Sequence, residues 1–180
     1  MAGANFSFPV FHSYPPYFTL QPVKETREKQ SALWKDLILK YCKQHKIFKL
    51  STDTASELEL FHNRGIDRQL SPAALDAFLS ELVAQGNAQW LDSGHHQCLI
   101  LWKRLDEWAA ALLEWARSSG MEDSVTTVEE LLSGDEVRGT ELEGVPRELM
   151  QAMLRFLEKQ GRARLFKGST ADDEGVKFFL

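Results

Sequence analysis

The sequence predicts a mainly α-helical chain with small β-hairpins, an α+β class, built as two similar domains behind an extended N-terminal tail. Two observations carry that prediction. The first is the stretch 71–103. Ser71 suits an N-cap, and Pro72 suits the first helical position, where a missing N–H costs nothing. Leu75, Phe78, Leu79, Leu82 and Val83 follow at three- and four-residue steps on one helical face, and Gly86 ends the helix. Residues 87–92 and 98–102, joined by a Ser-Gly-His-His turn, read as a hairpin. The second observation is that the pattern recurs. Pro146 opens another helix with Leu149, Met150, Met153, Leu154 and Leu157 on one face and Gly161 at its end. Stretches 162–167 and 176–180 then form a second hairpin around a polar turn. From Gly86 to Gly161 is about 75 residues, a register that sets Leu79 on Leu154, Leu82 on Leu157 and Trp90 on Leu165. That period is too long for a solenoid and suits two small domains. A helix feeding a terminal hairpin is the second half of a winged helix. The expected organisation is therefore a tail over 1–23 and tandem winged-helix domains over 24–103 and 104–180.

Taken in order, the tail shows no helical or strand period and is crowded with Pro and aromatics: Phe6, Phe8, Phe11, Tyr14, Tyr17 and Phe18. Disordered tails are poor in aromatics, so this one is expected to dock. Pro15-Pro16 is expected to hold it near polyproline II. Two docking places stand open, its own first domain and another subunit. Residues 24–47 read as a long helix with Leu33, Trp34, Leu37, Ile38 and Tyr41 as the buried stripe and a solvated lysine face. A short strand is expected at 48–50 and a second helix over 51–63 carrying Leu58, Leu60 and Phe61. In the second domain, Leu105, Trp108, Leu112 and Trp115 mark a helix ended by Gly120. A strand at 124–126, a short helix at 127–133 and an acidic, glycine-rich, exposed loop at 134–144 follow.

The chain has 180 residues, 43% hydrophobic and 26% charged, which suits two globular modules near the lower size limit for a self-sufficient core. Apolar runs are too short to span a bilayer, no signal peptide is read, and Cys42 and Cys98 have neither pairing nor metal spacing. A reducing, cytoplasmic compartment is expected. No phosphate-cradling loop, HExxH or paired Cys-x-x-Cys occurs, so no enzyme, cofactor or metal is expected. His95-His96 point apart in extended chain, and Cys42 lacks a base partner. The competing reading is a DNA-binding winged-helix regulator. Charge opposes it: the net charge is −5, and the third helix of the first domain has Asp76 and Glu81 but no Lys or Arg. The second wing tip, with Asp172, Asp173 and Glu174, would press carboxylates on phosphate. Arg162, Arg164 and Lys167 form the local basic cluster, offering contacts to acidic groups of a protein partner.

These residues also resemble a known family, the small winged-helix subunit of ESCRT-II (vacuolar protein sorting-associated protein 25). The likeness runs through Tyr14-Pro15-Pro16-Tyr17-Phe18-Thr19-Leu20-Gln21-Pro22, Gly86-Asn87 with Trp90-Leu91-Asp92, and Leu99-Ile100 with Trp102. It continues in Glu107-Trp108, Trp115 with Arg117-Ser118, and Gly175-Val176-Lys177-Phe178-Phe179. The resemblance implies a non-enzymatic adaptor in which a pair of such subunits joins two larger ESCRT-II subunits. It implies docking on those subunits through the N-terminal region, here Pro15, Pro16, Tyr17 and Phe18. Phe8 and Phe11 stand where some relatives have a second double-proline motif. It further implies that the second winged helix recruits the ESCRT-III initiating subunit during sorting of ubiquitinated cargo to multivesicular bodies. The chain would sit peripherally on the endosomal membrane through the complex, with no nucleic-acid partner.

Overall fold

The computed structural model describes residues 5–170 and 173–180. The chain divides into two compact units, Met1–Trp102 and Lys103–Leu180.

The first unit begins with 3₁₀ turns at Val10–Ser13 and Pro15–Phe18, then α1 (Lys24–His45) and β1 (Lys49–Ser51). A 3₁₀ turn at Ala55–Glu57, the two-residue strands β2 (His62–Asn63) and β3 (Arg68–Gln69), and α2 (Pro72–Ala84) come next. The hairpin β4 (Ala88–Trp90) and β5 (Gln97–Ile100) closes it. β5 lies between β1 and β4, antiparallel to both, with Leu50 opposite Cys98 and Trp90 opposite Cys98. Ser71 caps α2 as its sequence requires, its hydroxyl accepting from the Ala74 N–H at 3.2 Å. Leu75, Phe78, Leu79 and Leu82 are buried and Val83 is half-buried.

Three expectations for this unit are corrected. The helix expected over 51–63 is a 3₁₀ turn and a strand ribbon. Ser51-Thr52-Asp53-Thr54 is a run whose side chains compete for backbone partners. Thr52 does so here: its hydroxyl donates to the His95 carbonyl at 2.8 Å and its N–H to the His96 carbonyl, tying β1 to the hairpin turn. Leu60 and Phe61 then enter the core as adjacent residues, and the Leu70 N–H donates to the Phe61 carbonyl. Leu33 is 40% exposed and outside the α1 stripe, which is Trp34, Leu37, Ile38 and Tyr41 with the polar Gln30. Finally, Pro15 and Pro16 open a 3₁₀ turn instead of a polyproline segment. The turn closes through the Tyr17 N–H, which donates to the Tyr14 carbonyl at 3.1 Å.

The second unit runs α3 (Leu105–Ser118), β6 (Val125–Thr127), α4 (Val128–Ser133), a 3₁₀ turn (Asp135–Val137), α5 (Arg147–Lys159), β7 (Ala163–Phe166) and β8 (Gly175–Phe178). Its sheet order β6-β8-β7 repeats that of the first, with the last strand in the middle. Gly86 and Gly161, which set the repeat register, both take positive φ (80° and 71°) just beyond α2 and α5. That conformation is accessible to glycine without a Cβ penalty. α4 starts with a capping box between Thr127 and Glu130. The loop at 134–144 is acidic but not wholly exposed, because Val137 and Leu142 are buried at 3% and 2%.

Candidate partner-binding sites

The tail expected to dock does so on its own unit. Trp34 on α1 is fully buried and receives Phe11 and Phe18 edge-on, each at 5.4 Å between ring centroids. Phe61 and Phe78 stack against it at 6.2 and 5.9 Å. Polar groups fix the backbone. The Trp34 indole N–H donates to the Tyr17 carbonyl at 2.8 Å, and the Gln30 amide donates to the Tyr17 and Thr19 carbonyls. The buried Gln30 is thus satisfied by the tail itself. His12 is also buried: its Nε2 donates to the Leu60 carbonyl at 3.0 Å, Phe8 stacks on its ring at 4.2 Å, and Asn63 donates to its carbonyl. Burial pushes the His12 pKa below the ordinary histidine value against the opposing pull of the Leu60 carbonyl.

This arrangement sorts the six tail residues singled out by sequence. Phe11 and Phe18, at 7% and 2% exposure, belong to the core of the unit, and Phe8 and Tyr17 are half-buried against it. Pro15 and Pro16 are exposed. Tyr14, one of the aromatics read from the sequence, and Val10, which was not, are exposed as well, at 53% and 72%. Aromatic content alone cannot separate rings that fill a core from rings that face outward.

The basic cluster of the second unit is partly regrouped. β7 alternates, so Arg162, Arg164 and Phe166 share the outer face of the sheet while Ala163 and Leu165 face inward. Lys167 falls past the strand end and lines a small loop cavity with Gly168, Thr170 and Glu174. Its place on the face is taken by Lys177 of β8, opposite both Arg164 and Val125. Sequence distance hid Lys177. Strand pairing brings it in. The expected acidic wing tip is described only in part: Asp173 and Glu174 are, whereas Ala171 and Asp172 lie outside the described residues.

Elsewhere the geometry is that of structural contacts. His95 lies flat on Trp90 at 4.0 Å and bonds Asp76 at 2.6 Å, while His96 faces Asp53 at 3.4 Å, so the two rings diverge. Among the described residues no group of three or more His, Cys, Asp or Glu is placed to hold a metal ion. Cys42 and Cys98 are fully buried, and burial drives both thiols up to about 12, away from the thiolate that reactivity needs. The Asp92 carboxyl is held below its usual range by the N–H groups of His96 and Gln97, as a turn anchor. Glu130 is likewise held down, chiefly by the Thr126 hydroxyl donating to it at 2.7 Å. No helix among the described residues is long and apolar enough to cross a membrane.

Two mixed units of helices, each with a three-stranded antiparallel sheet, the first carrying also a β2-β3 ribbon and an aromatic strap, define the class of protein: a two-unit α+β chain with the strap folded on its N-terminal unit. Comparison places it within that class. The family described as ESCRT-II complex subunit matches residues 11–146, and the chain belongs to this family. It is 54% identical to vacuolar protein sorting-associated protein 25 of Arabidopsis thaliana, over 97% of both chains. It is 39% identical to the Danio rerio protein of that name, over 97% of this chain and 99% of the other. A crystal structure of subunit VPS25 of the endosomal trafficking complex ESCRT-II superposes with a TM-score of 0.85 at 32% identity, covering 95% of this chain and 98% of that one. A chain in the crystal structure of endosomal complex ESCRT-II (VPS22/VPS25/VPS36) gives a TM-score of 0.81 at 32% identity, covering 94% and 98%.

Proposed function

We propose that this chain is a non-enzymatic adaptor subunit of ESCRT-II, with both units acting as winged helices that bind proteins. The N-terminal region and first unit hold it to the larger ESCRT-II subunits, and the second unit receives the ESCRT-III initiating subunit. It serves the sorting of ubiquitinated cargo to multivesicular bodies from the cytoplasm, peripheral on the endosomal membrane through its complex. The observation that carries this reading is the likeness, over nearly the whole of both chains, to a chain solved within an ESCRT-II complex. The geometry supports it. The folded strap leaves the consecutive residues Tyr14, Pro15 and Pro16 exposed, a preformed apolar ridge that would dock without the cost of ordering a loose peptide. Phe11 and Phe18 act from beneath, holding the ridge in shape.

Co-expression with the larger subunits tests the reading, and one complex should be recovered by size exclusion. The change Tyr14→Ser with Pro15→Ser and Pro16→Ser should weaken it by roughly 2 kcal/mol or more, the scale of an interface anchor, while the isolated chain stays folded and loses only about 1–2 kcal/mol of stability with the two prolines. Recovery of the chain alone, with the larger subunits eluting together without it, would overturn the proposal. An electrophoretic shift at low salt checks the DNA-binding alternative. α2 offers phosphate no Lys or Arg, and Arg147 on α5 is engaged with Glu129 at 2.7 Å, so no shift is expected.

A further inference from the structure

The open face of the second sheet is apolar and cationic together. Val125 on β6 is 64% exposed, Phe166 on β7 is 40% exposed, and Phe179, just past β8, is 42% exposed. Pairing sets Val125, Lys177 and Arg164 in one row across the three strands, and Thr127, Gly175 and Phe166 in the next. Gly175 joins the apolar pieces: a Cβ there would lie 3.5 Å from Phe166 and 3.7 Å from Val125, so the two side chains close over it. The cations lie among these rings. The Arg164 guanidinium sits 5.6 Å from the Phe166 centroid and the Lys177 ammonium 6.0 Å from that of Phe179. Arg162 is steered to the same edge, its Nε donating to the Phe179 carbonyl at 3.0 Å. Asp123 meets this face 3.6 Å from Lys177, and at its β6 edge Val125 shares a cavity with Glu130, Asp135 and Glu136, so the cationic part of the face is its β8–β7 side.

We infer that this sheet face is a docking surface for an acidic segment of a partner protein that presents apolar side chains between its carboxylates. The inference rests on the reading above that the second unit receives another protein, and it names the surface and the chemistry. Charge complementarity chooses the occupant. Guanidinium and ammonium groups already stacked on rings are partly desolvated, and a carboxylate brought to them gains a charge-assisted bond without exposing the rings. An extended polyanion is a poorer fit. A membrane surface or a nucleic-acid backbone reaching across the hairpin would also meet Asp173 and Glu174 at its turn, whereas a short segment lying across the strands avoids them.

The test uses the full chain with two probes, the ESCRT-III initiating subunit and a short amphipathic peptide of Glu and Leu, measured by calorimetry or fluorescence anisotropy. The peptide should bind, and its counterpart with Lys for Glu should not. The double change Arg164→Glu with Lys177→Glu, and separately Val125→Glu, should each weaken peptide binding roughly ten-fold or more. Arg155→Glu, on the exposed side of α5, should leave it unchanged. All these side chains are exposed or half-exposed, so thermal unfolding should report an intact fold. Peptide binding unaltered by both face variants, or equal binding of the Lys peptide, would overturn the inference. So would capture of the chain by phosphatidylserine vesicles through the same residues while the peptide fails. If the ESCRT-III subunit does not bind the native chain but the peptide does, on this face, the named partner falls and the surface stands. If the subunit binds native and face variants alike, the recruitment reading stands and the surface falls.

Discussion

Trp34 and Trp108 sit on the first long helix of their units and are both buried, at 0% and 1% exposure, yet the two units bury them with different material. Around Trp34 much of the covering comes from outside the repeat, from Phe11, His12 and Phe18 of the tail, and the rest from Phe78 of α2 and from Phe61, in a segment that is not a helix. Around α3 it comes from within, as α3 packs on α5, α4 packs on α5 and β6, and Val137 and Leu142 fill in from the loop. The first unit has given up its middle helix and taken on an aromatic strap. The second keeps a one-turn-and-a-half helix held by a capping box. A module of this size has little core to spare, so a missing helix must be replaced by side chains from somewhere, and large rings supply the most area per residue. The consequence is functional as well. The segment that closes the first core also shapes an exposed Tyr-Pro-Pro ridge, so stability and presentation are coupled there.

That comparison can be broken by substitution. The largest effects should come from Trp34→Ala and Trp108→Ala, each costing about 3–5 kcal/mol and each unfolding its own unit first. Two separate transitions in calorimetry, with a different one lowered in each variant, are expected. A single transition lowered equally by both would show that the units do not unfold independently. Next, Phe18→Ala should destabilise the first unit by about 3 kcal/mol or more, while Tyr17→Ala should cost clearly less because its ring is half-exposed. Equal, small shifts in melting temperature for both would show that the first core does not depend on the tail. The capping box gives a smaller effect confined to the second unit: Thr127→Ala should cost about 1 kcal/mol, seen as a drop of only the transition that Trp108→Ala also lowers.

The smallest effect at neutral pH, and the one most specific to the strap, belongs to His12. Its folded pKa lies below the ordinary 6.5, so the folded state resists a proton that the unfolded chain accepts. Its contribution is fully present above about 6.5 and is lost as pH falls from there through the depressed folded value. Denaturant midpoints should therefore decline in mild acid for the first unit, and His12→Asn should flatten that decline. Loss of the same slope in the second unit alone would exclude His12 as its source.

Much of the fold was legible because it rests on local chemistry. Ser71-Pro72, the three-and-four spacing on α2 and α5, and the glycines at their ends act within a few residues of themselves, and the repeat shows itself because both units obey the same periodicity. The sequence by itself therefore determined two helix-and-hairpin patterns and an α2 that carries Asp76 and Glu81 but no Lys or Arg. What tertiary structure decided were choices between partners far apart in the chain. Whether Thr52 starts a helix or ties down a hairpin turn depended on the carbonyl of His95, more than forty residues away. Which rings of the tail face outward depended on where Trp34 and Gln30 could receive the Tyr17 carbonyl. Which cations form one face depended on strand register, which exchanges Lys167 for Lys177. Local propensities are weak, about a kcal/mol or less per residue, and a buried ring or a satisfied buried carbonyl outweighs them.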